Sequence, residues 1–272
     1  MASAGLVFSS HAFGDHERQE VAVWEWKEAK SDGYWLIYIH GGFWWFPHQS
    51  FGDFTASMKH MTAPGYPARS SIRGFISLDY RITNPEESGS VKYPEPLNDV
   101  VAGLSMVADK VGLTNDNYIL IGQSAGAALA FQLLMGMASE AIPRPPLPTA
   151  IIGVSGLYDL VRLNDHAKGE YAKYITAAFG PNQRDWQNAS PAKFKGQYRK
   201  QWPGDRWVVL AHSTEDQYLD VGEMDSMLAR LKMEDIPVHD VRNLTGKHDF
   251  VWEEGSQIAQ LVAELLPKLP KV

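Results

Sequence analysis

Three short stretches of this chain carry the residue types that acyl transfer requires. Gly122-Gln123-Ser124-Ala125-Gly126 reads G-x-S-x-G, with an apolar run before it and a helix-forming run directly after it. A serine hydroxyl is a weak nucleophile and needs a neighbouring base. A strand that turns sharply into a helix at the serine lifts Oγ above the carboxyl edge of a sheet. The glycines two residues either side have a steric reason, since a Cβ there would collide with the neighbouring strand or helix. Ala125, Ala127 and Ala128 permit the same close approach.

The second stretch, Ile39-His40-Gly41-Gly42-Phe43-Trp44, follows an apolar run. Acyl transfer builds negative charge on an oxygen, and backbone N–H groups in a glycine-rich turn can be aimed at it in advance. The N–H of Ala125, at the N-terminus of a helix, is the natural second donor. One such donor typically contributes about 3 kcal/mol. His40 precedes the turn and reads as a residue that holds the loop, not as the base.

On strand–turn–helix serine sites of this kind, the carboxylate and then the histidine follow the serine along the chain. The histidines after Ser124 are His166, His212, His239 and His248. His248 lies in the polar loop Thr245-Gly246-Lys247-His248-Asp249-Phe250, after the last strand candidate, where the base belongs. His166 precedes too much of the sheet, His239 sits within a strand pattern, and His212 precedes any suitable acid. Asp216, in a loop that must turn just before a helix, is the favoured acid. Glu215 is also permitted, and Asp220 reads as a helix-start residue. His248 would take the proton from Ser124, and Asp216 would orient the ring and stabilise its charged form.

These residues need elements to carry them. Residues 35–39 are apolar on both faces, as in a buried parallel strand, and residues 75–78, 118–121, 151–154, 207–210 and 238–241 are further strands. Residues 21–26 alternate as an edge strand would. Helices are expected from Ser50 to about residue 61, over 99–111 with Gly112 as the stop, and over 125–137, 220–233 and 256–266. Strand–helix alternation gives a mostly parallel open α/β sheet with helices on both faces. The prolines at 143, 145, 146 and 148 mark a stiff connection. Residues 160–201, polar and aromatic with one helix expected at 171–178, read as a small cap. The whole of 1–272 reads as one domain.

Composition narrows the function. The chain has 272 residues, 44% hydrophobic and 21% charged, enough apolar content for a sizeable core. Its formal charge of −7 gives no basic excess for nucleic acid. With no cysteine, thiolate nucleophiles, disulfides and thiolate metal sites drop out. H-E-x-x-H, Walker A and G-x-G-x-x-G are missing, so neither metal nor cofactor is expected. Residues 1–20 lack the pattern of a secretory leader, no run approaches a spanning helix, and no repeat recurs. The expectation is a soluble, cytoplasmic protein whose partner is a small-molecule substrate, with no nucleic acid or membrane and with homodimer formation left open.

The sequence resembles the kynurenine formamidase family in its fungal form, α/β-hydrolases that cleave N-formyl-L-kynurenine to kynurenine and formate. The family's HGGxW motif is matched by His40, Gly41, Gly42, Phe43 and Trp44. The resemblance implies an oxyanion hole at the main-chain nitrogens of Gly42 and Phe43, and a Ser124–Asp216–His248 triad. Residues 100–114, 156–160 and 212–219 extend the likeness, which spans about residues 34–250. The HGG and serine motifs, with Asp79-Tyr80-Arg81, are shared with short-chain carboxylesterases of the hormone-sensitive-lipase type, which is the alternative activity. Trp44 and the Gly156-Leu157-Tyr158-Asp159-Leu160 stretch favour the formamidase and make Trp44 a candidate substrate contact. Trp45-Phe46 adds an unusually aromatic loop, suited either to lining an aryl-amide pocket or to packing beneath the cap.

Overall fold

The computed structural model describes residues 5–272; residues 1–4, part of the amino-terminal stretch considered for a leader, lie outside them. Eight strands form one sheet: β1 Leu6–Ala12, β2 Glu20–Trp26, β3 Tyr34–Ile39, β4 Ile72–Leu78, β5 Tyr118–Gln123, β6 Ala150–Val154, β7 Trp207–Ser213 and β8 Val238–Leu244. Their spatial order is β1-β2-β4-β3-β5-β6-β7-β8. The pairs β1–β2 and β2–β4 are antiparallel, and the pairing from β4 onward is parallel.

The continuous apolar run of β3 follows from this arrangement. Trp35, Ile37 and Ile39 join the core on one face of the sheet, while Leu36 and Tyr38 join the core on the other. The first face is covered by α2 Glu95–Val111, α3 Ala125–Met135 and α8 Gly222–Lys232. The second is covered by α1 Thr55–Thr62 and α10 Ser256–Leu265, with α9 Phe250–Glu254 beside them. Ser50 caps the short 3₁₀ turn Phe51–Phe54 that leads into α1, and Asp53 completes the capping box. Gly112 and Gly136 stop α2 and α3 in the left-handed region, φ 68° in each.

Several expectations need correction. Residues 21–26 do not form an edge strand: β1 lies outside them, its residues mostly exposed and too polar to read as a strand. The helix expected over 99–111 begins at Glu95, and that expected over 125–137 ends at Met135. Residues 160–201 hold four helices instead of one: α4 Leu160–His166, α5 Ala172–Phe179, α6 Gln183–Ala189 and α7 Tyr198–Gln201. Among the described residues, no helix is long and apolar enough to cross a membrane.

Candidate active site

Ser124 stands where β5 ends and α3 begins, at φ 53° and ψ −119°. That conformation is costly for a residue with a side chain and is held by its surroundings. Its N–H donates to Val154 O (2.9 Å), and its carbonyl accepts from Ala127 and Leu157. A Cβ at Gly122 would strike the backbone of Gly126 and Ala127, and one at Gly126 would strike the carbonyls of Ile39 and His40. Both glycines of the motif are therefore fixed by close backbone approach, α3 against its own strand and against the end of β3.

The turn after β3 is held by buried polar groups. His40 is fully buried; its Nε2 donates to Asp79 Oδ1 (3.0 Å), and its ring stacks on Tyr80 at 4.3 Å. The Tyr80 hydroxyl reaches the carbonyls of His40 (3.0 Å) and Gly41 (2.8 Å). Arg18 Nη1 donates both to Asp79 and to the Gln49 carbonyl. His40 is thus a structural residue, and Asp79-Tyr80 is its clamp. Gly42, Phe43 and Trp44 follow at φ 90°, 54° and 57°. The Gly42 carbonyl accepts from Trp45 and Phe46 N–H, closing the turn. Among the described residues, the N–H groups of Gly42, Phe43 and Ala125 donate to no protein acceptor. Gly42 and Phe43 line the cavity, and Ala125 directly follows Ser124, which lines it too; free donors beside the serine are the condition an oxyanion site requires.

His248 and Asp216 meet across the loops after β8 and β7. His248 Nδ1 donates to Asp216 Oδ2 at 2.7 Å, and the Asp216 side chain is fully buried. Asp216 Oδ1 accepts from the N–H groups of Tyr218 (2.9 Å) and Leu219 (3.0 Å). Burial works against ionisation here, but the His248 contact and those two amides outweigh it and hold the carboxyl below the usual range. Glu215, exposed on the same loop, does not face His248. His248 is further fixed by its N–H to Gln217 Oε1 (3.0 Å) and by an edge contact with Tyr218 at 5.5 Å. Its Nε2 accepts from Gln123 Nε2 at 3.2 Å, and no hydrogen bond joins it to Ser124 among the described contacts. His212, buried beside Asp216, has its pKa lowered chiefly by desolvation.

Ser124 and His248 line a cavity of about 280 Å³ with Gly42, Phe43, Phe46, Tyr171, Tyr174 and Tyr218. The cap supplies Tyr171 and Tyr174, against which Phe43 packs at 5.4 and 5.5 Å. Trp44 is corrected here. Its ring is 1% exposed, lies outside the cavity wall, and packs edge-on against Phe179 of α5 at 4.9 Å. With its backbone in the left-handed region, its ring enters the core, and Phe43 and Phe46 take the wall instead. Trp45 meets Tyr174 at 5.2 Å without reaching the wall, so the aromatic loop serves both roles sequence permitted. The wall also holds His48, Gln49, Leu219 and Asp249, none of which the motifs signalled, although Asp249 directly follows the candidate base. Burial pushes the Asp53 carboxyl, behind this wall, up to about 6, with His40 and the Ser50 N–H opposing and the charges of Asp79 and Asp249 adding.

The cap starts from the 156–160 stretch. Glu223 Oε2 accepts from the N–H groups of Tyr158 (2.7 Å) and Asp159 (2.8 Å), and Asp159 caps α4. Burial lifts Glu223 to about 7, against the two amides and Arg162. Among the described residues, no cluster of three or more His, Asp or Glu side chains could hold a metal ion.

Comparison with known proteins bears on the same region. A family of α/β-hydrolase fold matches residues 36–251. Kynurenine formamidase avaC of Aspergillus versicolor is 32% identical over 243 residues, covering 81% of this chain and 84% of that protein. Kynurenine formamidase-like hydrolase fscH of Fusarium equiseti is 32% identical over 248 residues, covering 85% and 82%. Esterase B from Lactobacillus rhamnosis superposes with a TM-score of 0.74 at 15% identity, covering 98% of this chain and 87% of that one, a likeness of fold.

Proposed function

Because the chain belongs to the α/β-hydrolase fold family and, within it, to the kynurenine formamidases, we propose that it is a serine hydrolase cleaving the formamide of N-formyl-L-kynurenine. The observation that carries this reading is that one aromatic cavity is lined by Ser124, by His248, which is paired to Asp216, and by Gly42 and Phe43, whose N–H groups have no protein acceptor among the described residues. Ser124 Oγ attacks the formyl carbon as His248 Nε2 takes its proton. The N–H groups of Gly42, Phe43 and Ala125 receive the oxyanion. Collapse breaks the C–N bond, and His248 returns the proton to the departing aryl nitrogen, leaving Ser124 formylated. Water then attacks the formyl ester with His248 again as base, the ester C–O bond breaks as His248 returns the proton to Ser124 Oγ, and formate leaves. Asp216 holds the ring with its proton on Nδ1, so that Nε2 carries the lone pair that accepts.

Aromatic rings on the cavity wall support an aryl substrate, since offset or edge contacts with a flat ring add to simple burial. The test is formate release from N-formylkynurenine by the purified protein, abolished in Ser124→Ala with unchanged circular dichroism. Turnover of short p-nitrophenyl esters with none of N-formylkynurenine would instead favour the short-chain carboxylesterase.

A further inference from the structure

The cavity wall is charged on one side only. Asp249 brings a carboxylate to it, and among the described lining residues there is no lysine or arginine. The Asp249 Oδ1 accepts from Gln49 Nε2 (3.4 Å) and Trp252 Nε1 (3.2 Å), which leaves Oδ2 without a recorded protein donor. A carboxylate cannot donate, so the Gln49 amide must turn its nitrogen towards Asp249. Its carbonyl oxygen is thereby left buried and without a partner. Gln49 is 4% exposed, so this acceptor is unsatisfied inside the protein, where such a group is costly. The Asp249 carboxylate at the wall calls for a ligand with N–H donors, whereas the enclosed Gln49 oxygen is out of a ligand's reach.

The rest of the wall agrees. Phe43, Phe46, Tyr171, Tyr174 and Tyr218 line the same cavity, and aromatic rings attract a cation placed over them. Asp53 and Asp79 lie behind, with Arg18 paired to Asp79. The other titratable groups on the wall are His48 and His248 and the tyrosine hydroxyls. Lys173 on the cap lays its Nζ over the Tyr174 ring at 4.5 Å and is not part of the wall.

We propose that Asp249, backed by Gln49 and framed by these rings, is the subsite for an ammonium group on the substrate's side chain. The enzyme reads the amine of an aryl formamide and leaves any carboxylate to solvent. This rests on the formamidase reading for the reacting group, but the subsite can be tested apart from it.

The experiment compares kcat/KM for N-formylkynurenine, its analogue lacking the carboxylate, its analogue lacking the amine, and formanilide. Removing the carboxylate is expected to change kcat/KM by less than about threefold, and removing the amine to lower it at least about tenfold. In Asp249→Asn that amine advantage shrinks to about threefold or less and in Asp249→Glu it returns, with formanilide turnover reporting whether the variant site is intact. If Asp249→Asn fails to fold, calorimetry on Ser124→Ala reads the same contrast between amine-bearing and acid-bearing products. Equal turnover with and without the amine overturns the proposal. So does a roughly tenfold rise in KM for N-formylkynurenine alone in Lys173→Ala, which would mean that the carboxylate is read instead. Hydrolysis of esters but of no formamide would sink the formamidase reading. Competitive inhibition of p-nitrophenyl acetate turnover would then decide the subsite, the amine-bearing product having to bind more tightly than the acid-bearing one.

Discussion

The Nε2 nitrogen of His248 lies 3.2 Å from the side-chain nitrogen of Gln123, the residue immediately before Ser124. Asp216 accepts from Nδ1, so the neutral ring keeps its proton there, and Nε2 can only accept. Gln123 therefore donates to the lone pair that the proposed cycle needs for the serine proton. Among the described residues, its own carbonyl oxygen is buried and without a partner. Once the ring is protonated, donor faces donor, and only a turn of the amide brings an acceptor to Nε2.

Gln123→Glu replaces that donor by a carboxylate, which favours the imidazolium. The acid limb of the kcat/KM profile is expected to move to higher pH by about one unit. Gln123→Met removes the donor that favours the neutral ring and should move the limb upward by less than Gln123→Glu does. A pH–rate profile of the three proteins checks this, and an unmoved limb in Gln123→Glu would reject it.

Asp216→Asn keeps the shape but presents an amide to Nδ1, which selects the wrong tautomer, and kcat is expected to fall by about 10⁴-fold. The same change alters acid stability. The Asp216 carboxyl is held below its ordinary value in the folded chain, so its contribution is present above that ordinary value and is lost as pH falls through the lowered one. Urea unfolding from pH 6 down to pH 3 should therefore show a steeper loss for the wild type than for Asp216→Asn.

Glu223 has the opposite sign. Its carboxyl is lifted from 4.5 to about 7, so the folded chain binds more protons than the unfolded one between those values, and stability falls as pH rises through that window. The full effect is on the order of 3 kcal/mol. Glu223→Gln keeps an oxygen for the amides of Tyr158 and Asp159 and removes the titration. Its Tm relative to wild type should rise steadily from pH 5 to pH 8, and a constant difference would refute the assignment.

Sequence made the candidate reacting groups legible because their constraints are local. Gly122 and Gly126 are dictated by backbone approach to Ser124, and His40 by its place before a glycine turn. A place just before a helix favours Asp216 over Glu215 in the sequence, while the amides of Tyr218 and Leu219 that it collects are visible only in the fold. The direction of the Trp44 ring depended on a left-handed backbone that a motif does not record. β1 escaped because most of its residues face solvent, so no apolar period marks it. The cap helices α4 and α6 are about two turns each, too short for periodicity. Their signals were the N-cap side chains Asp159 and Asn182. Gln49 and Asp249 are polar loop residues whose meaning arises only from what they face.

The Trp44 ring wedged against Phe179 joins the peptide units of Gly42 and Phe43 to the cap. In the proposed cycle, that ring contact couples the oxyanion donors to the cap. Under that reading, a displacement of α5 large enough to admit a bulky acyl chain would also disturb those donors, and acyl length would be limited by catalysis as well as by room.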